Sequence, residues 1–242
     1  MSEESGLNST AQSCYSTALS IAREADDRGM FGIIQRAMSV QALRMGEHAN
    51  ASALIHSSWR SLGPNATPAV RSFVLTQRAL VHALEKQRDA ALRDLASAEL
   101  AHNDAASISG LFNYYPRAGL AYQRAQTLRA LNYPRQAQSS FRESLRNRPR
   151  HQKAAYAITQ AGLAESLIAT DDLEEACVHW HIFLDHFPGR HSACAYRALL
   201  RLQRMLSAFP RQRQAELTIG RAEEVLGRLP RAMANEQTMT AP

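Results

Sequence analysis

The sequence predicts an all-α protein built as an α-solenoid of about five helix pairs plus one orphan N-terminal helix. Three observations carry that reading. The first is a ladder of alanine, a large or aromatic residue four positions on, and usually a small residue three further: Ala11/Tyr15/Ala18, Ala51/Ile55/Ser58, Ala91/Leu95/Ala98, Ala137/Phe141/Ser144, Ala176/Trp180/Phe183 and Ala215/Ile219/Ala222. The alanines are 40, 40, 46, 39 and 39 residues apart, a period that belongs to stacked helical hairpins. The second is that no segment alternates apolar and polar residues over strand length between hairpin turns. The third is that each alanine has a counterpart twelve residues earlier, Ser39, Ala79, Ala125, Ala164 and Gln203. Four of these five are small, as a close crossing of two helices requires.

Taken in order, residues 1–9 read as a disordered leader before a helix from about residue 10 to Asp27, capped by Ser9 or Thr10 and ended by Gly29. The first pair is Ile33–Met45 and Ala49–Leu62, reversed at Gly46, with Gly63, Pro64 and Pro68 breaking the chain after it. The second is Ala69–Glu85 and Asp89–Ala101. The polar run from His102 to Ser109 and the following GLFNYYP interrupt the period. Phe112, Tyr114 and Tyr115 there either pack over the stack or form a functional insertion. The third pair is Arg117–Leu131 and Arg135–Asn147. The fourth is Gln152–Ala169 and Leu173–His186, with Asp171 or Asp172 as cap. The last is Ser192–Ala208 and Arg211–Leu229, and residues 230–242 read as a disordered tail. Residues 10–229 are thus expected to form one domain, with Phe141 and Trp180 filling the gaps between neighbouring hairpins.

Composition narrows the functional classes. The net charge is +6, and 26 of the 28 basic residues are arginine. This fits a solvated basic surface and leaves an acidic partner open. Cys14, Cys177 and Cys194 show neither disulfide nor metal spacing and fit a reducing, cytoplasmic setting. No apolar run reaches membrane-spanning length. Gly-rich phosphate loops, H-E-x-x-H and G-x-S-x-G motifs do not occur, so no enzyme activity and no cofactor are expected. In CVHWHIFLDHF, Cys177, His181 and Asp185 share a helix face, yet the same face has to pack, and no metal site is assigned. Arg197, Arg201 and Arg204 also share a face, but no short recognition helix accompanies them, so direct DNA binding is not expected.

The segments PRQAQSSFRESLRNRP and DLEEACVHWHIFLDHFP resemble the tetratricopeptide repeat, including its closing proline at Pro149 and Pro188. The longer runs RALVHALEKQRDAALRDLASAE, LAYQRAQTLRALNYPRQAQSSFRESL and GLAESLIATDDLEEACVHWHIFLDHF resemble the C-terminal repeat region of actinobacterial helix-turn-helix (XRE-type) transcriptional regulators. With about nine residues before the first helix, the DNA-reading half of such a regulator is expected to be absent. The resemblance implies a bacterial, cytoplasmic scaffold in transcriptional or developmental regulation that binds a protein or peptide, acidic by charge complementarity, in the groove lined by the first helices of the pairs. The alternative is a ligand- or peptide-sensing fragment of a transcription factor. By register the groove carries Arg36, Val40 and Arg44; Phe73 and Leu80; Tyr122, Gln126 and Arg129; and Arg197, Leu200 and Arg204. Arginine forks beside apolar and aromatic surface suit carboxylate recognition. The first helix lacks a preceding partner. Its open side is expected either to pair with a second copy or another protein, or to fold back or fray.

Overall fold

Five tight turns set the architecture, and each is made the same way. Asp26, Gly46, Lys86, Asn132 and Asp171 adopt positive φ, at 49°, 80°, 65°, 62° and 62°, the left-handed conformation that reverses a chain at the end of a helix. The last four stand 40, 46 and 39 residues apart, and each precedes its ladder alanine (51, 91, 137, 176) by five residues. Turn and ladder therefore share one register.

The computed structural model describes residues 3–64, 66–105, 115–149, 151–187 and 192–228. Among them are eleven helices and no strand. The chain divides into two compact units, Met1–Leu131 and Asn132–Pro242. In a stack of hairpins each repeat packs only on its neighbours, so local compactness need not follow a single domain boundary.

The first unit holds α1 (Glu3–Glu24), α2 (Arg28–Arg44), α3 (His48–Ser61), α4 (Pro68–Leu84), α5 (Arg88–Ala105) and α6 (Arg117–Ala130). α2 pairs with α3 and α4 with α5; α2, α4 and α6 are laid side by side, and α1 packs on α2. Ser39 sits at the α2–α3 crossing, where its hydroxyl donates to the Ala51 carbonyl at 2.8 Å. Two turns along, Ser58 donates to the Gly32 carbonyl at 2.6 Å. Such contacts need helix backbones brought together by short side chains.

The second unit holds α7 (Pro134–Arg146), α8 (Lys153–Ile168), α9 (Leu173–Asp185), α10 (Ala193–Leu206) and α11 (Arg213–Gly227). α8 packs on α7, α9 and α10, and α11 packs on α9 and α10. Phe141 of α7 is fully buried, with its ring against the Cα of Gly162 in α8. Trp180 and Phe183 of α9 are also fully buried, their rings 5.5 Å apart and edge-on. Asp172 caps α9 by accepting from the Glu175 amide at 3.3 Å.

Ala51, Ala91, Ala137, Ala176 and Ala215 are all 0% exposed. Ala11, Tyr15 and Ala18 are only half-buried, as an element with a neighbour on one side would be. Three boundary expectations are corrected. α1 begins at Glu3, so most of the expected leader is helical; no proline interrupts this stretch, and a nucleated helix extends at little cost. Gly29 does not end α1. It lies in the first turn of α2, which Asp27 caps by accepting from the Met30 amide at 2.8 Å. The polar run after His102 was expected as loop, but α5 continues helical to Ala105. Phe112, Tyr114, Pro188 and the 230–242 tail lie outside the described residues.

Candidate partner-binding face

The first helices of the leading unit, α2, α4 and α6, form a layer whose polar side chains connect along and across helices. On α6, Tyr122, Gln126 and Arg129 fall on one helical face at spacings of four and three. The Gln126 amide donates to the Tyr122 hydroxyl at 2.7 Å, and Arg129 donates to the Gln126 carbonyl oxygen at 2.7 Å. All three are half-buried. Beside them, Gln123 donates to Gln77 of α4 at 3.2 Å, fixing α6 against α4.

Arg36 of α2 crosses to α4. Its guanidinium carbon lies 3.6 Å above the centre of the Phe73 ring, and its Nε donates to the Phe73 carbonyl at 3.1 Å. Burial pushes its pKa down to about 10, since desolvation disfavours the charged form. Phe73 in turn packs edge-on against Tyr115, ring centres 5.2 Å apart. Tyr115 is buried, and its phenol is pushed up chiefly by that burial. Its hydroxyl lies 3.4 Å from that of Thr76, and its carbonyl is 2.9 Å from His102 Nε2. Of the three GLFNYYP aromatics, the described one is thus a packing residue.

The expected groove residues therefore separate into two kinds. Arg36 and Phe73 are joined to each other and brace α2 against α4. Arg44 is exposed in the last turn of α2, while Tyr122, Gln126 and Arg129 line α6. Val40 and Leu80 are half-buried. In the second unit, Arg197 and Leu200 are half-buried on α10 and Arg204 is exposed. There Arg201 bridges to α8, its Nε donating to the buried Glu165 at 2.9 Å.

The CVHWHIFLDHF cluster is committed to packing on α11. His181 meets Thr218 at 3.2 Å and Arg221 at 3.1 Å, and Arg221 also pairs with Asp185. Cys177 is buried, which pushes its thiol up. His179 lies 2.6 Å from Gln160 of α8 and 3.5 Å from Glu175. Burial lowers the pKa of His179 despite Glu175, and lowers that of His181, with Arg221 adding to the effect.

One cluster of the first unit had no sequence signal. Arg78 of α4 holds Asp94 of α5 through two bonds of 2.7 and 2.6 Å, and its guanidinium lies 4.4 Å from the centre of the Trp59 ring on α3. His82 stands 3.6 Å from Asp94 and packs against His56 of α3, ring centres 5.1 Å apart. Arg78 and Asp94 lie 16 positions apart and His56 and His82 lie 26 apart, and no local motif joins such common types.

No family model matches the sequence, and no curated protein matches it. Among solved structures the chain is similar to BtubC (BKLC) from P. vanneervenii, with a TM-score of 0.62 and 15% identity over 97% of this chain and 92% of that one. At that identity the likeness concerns the fold alone.

Proposed function

We propose that this protein is a non-enzymatic scaffold of tetratricopeptide-type hairpins that binds an acidic protein or peptide segment along the α2/α4/α6 face, in bacterial transcriptional or developmental regulation in the cytoplasm. The observation that carries the reading is the Tyr122–Gln126–Arg129 chain on α6. A half-open helix face offers a phenol, an amide and a guanidinium in sequence, held in fixed orientation by one another. Preorganised donors lose less freedom on binding, and an arginine fork matches a carboxylate. Arg44, exposed at the end of α2 and separated from α6 by α4 in the same layer, adds a second cation.

The test is fluorescence anisotropy with a labelled peptide of alternating glutamate and tyrosine, combined with pull-down from a bacterial cytosol. Arg129→Glu and Arg44→Glu should each weaken the peptide about tenfold, the loss of roughly one charged contact, and remove the same captured partners. Unchanged affinity and an unchanged capture pattern would refute the reading.

A sensor role, as a fragment of a transcription factor, is the second reading, and one feature favours it. A cleft of about 770 Å³ opens between the α1–α2 turn and the α3–α4 connection, lined by Asp26, Arg28, Met30, Ile33, Leu62 and Val70 among others. Its size falls in the range of small-molecule pockets. A small ligand that raises the thermal midpoint in proportion to its concentration, and loses this effect in Ile33→Arg, would support it.

A further inference from the structure

We infer that His56, His82 and Glu85 form a binding site for a divalent transition-metal ion of the zinc type, bridging α3 and α4. His56 projects from the middle of α3, His82 from the last turn of α4, and Glu85 is the residue that ends α4. Each offers a ligand atom, and the three atoms lie within 4.8 Å of one another. Two imidazoles and one carboxylate are the donor set that borderline cations such as zinc and cobalt take, with a further position left to water.

A second observation points to a cation rather than to ordinary packing. Metal-bound imidazoles are usually held by a hydrogen bond at their other ring nitrogen. His82 has that arrangement: its Nδ1 lies 2.6 Å from the Gln87 carbonyl oxygen, which accepts the Nδ1 proton. The other ring nitrogen, Nε2, is left for a ligand and stands 3.6 Å from the Asp94 carboxylate, which Arg78 already holds through both oxygens.

The remaining adjustment is small. In a tetrahedral zinc site the ligand atoms sit about 3.3 Å apart, given bonds near 2.0 Å. Glu85 is exposed and ends its helix, so its carboxylate can swing in without moving backbone. His56 and His82 are already in edge contact. An ion here would tie the α2/α3 hairpin to the α4/α5 hairpin, and so fix two neighbouring first helices of the proposed binding face. The inference itself does not depend on what that face binds.

The full-length chain, stripped with chelator, is titrated with cobalt(II) and followed by its visible d–d absorption; zinc(II) is then used to displace it, and thermal midpoints are recorded with and without zinc. The expected result is one saturable equivalent with the intense absorption of a four-coordinate site, displaced by zinc, and a midpoint raised by zinc. His56→Gln and Glu85→Gln should each weaken cobalt binding at least about tenfold and abolish the zinc-dependent shift. His48→Gln, an exposed imidazole on the same helix, should change neither. Glu85→Gln alters a solvent-facing side chain, so its far-UV spectrum should remain that of the parent and a loss of binding would not reflect unfolding. Absence of saturable absorption overturns the site, as does binding that survives both His56→Gln and Glu85→Gln.

Discussion

Replacing Gly162 by alanine opposes two effects whose sizes can be compared. Gly162 lies inside α8, where alanine is favoured over glycine by about 1 kcal/mol through helix propensity alone. Against that, a Cβ at this position would stand 2.7 Å from both Cε1 and Cζ of Phe141, well inside van der Waals contact. The ring cannot retreat easily, because Phe141 is 0% exposed and interiors are packed as densely as organic crystals. Forcing one extra carbon into such a site costs about 1–3 kcal/mol. With the contact this short and the ring this enclosed, the upper part of that range applies, and a net loss of about 1–2 kcal/mol follows. Gly220 of α11 is the internal control: a Cβ there meets nothing within 4 Å, so Gly220→Ala should gain about 0.5–1 kcal/mol. Urea unfolding of both variants beside the parent reads the difference directly. Gly162→Ala as stable as the parent or more so, with Gly220→Ala behaving as expected, would refute the idea that the large ladder residue seats against a bare backbone in the adjacent helix.

Removing Asp94 strands Arg78, whose side chain is 14% exposed and held through two bonds; Asp94→Ala should cost about 3 kcal/mol, read by chemical denaturation. Lys86 holds φ at 65° on an exposed turn, so Lys86→Gly should stabilise by about 0.5–1 kcal/mol through relief of left-handed strain, read as a rise in the thermal midpoint. His179 and His181 have pKa values lowered in the folded chain, so the unfolded chain takes up protons first as pH falls. Their contribution is therefore retained above about pH 6.5 and declines below it. Unfolding midpoints measured from pH 7.5 to 5.5 should fall, and fall less in a His179→Gln, His181→Gln double variant.

The repeat was legible because its cause is geometric and recurs: a small residue at every crossing leaves a mark at a fixed interval, and Ala51, Ala91, Ala137, Ala176 and Ala215 are all fully enclosed. The turns were legible as breaks between helices, KQRD at residues 86–89 included. Gly46 and Asn132 also suit a left-handed backbone by residue type, whereas Lys86 adopts the same one without any preference for it, and the five-residue offset to the ladder is what marks its conformation. Gly29 was misread for the opposite reason. A glycine after a helix suggests its end, whereas Asp26 already makes the turn and Asp27 the next cap.

The candidate face was partly legible. Spacing placed Tyr122, Gln126 and Arg129 on one stripe, and they are bonded in that order. It could not tell that Arg36 is spent on Phe73, since helix register gives direction and not the reach of a long side chain across to its neighbour. The pairing of Arg78 with Asp94 and the approach of His56 to His82 depend on how separate helices meet, which no single helix encodes.

Hydrogen exchange of the full chain with and without the glutamate–tyrosine peptide tests the proposed binding face most directly, because amide protection reports which helices a ligand steadies. The account predicts added protection in α2, α4 and α6 and little change in α3 and α5. Protection gathered on α3 and α5, or none on any helix at saturating peptide, would contradict it.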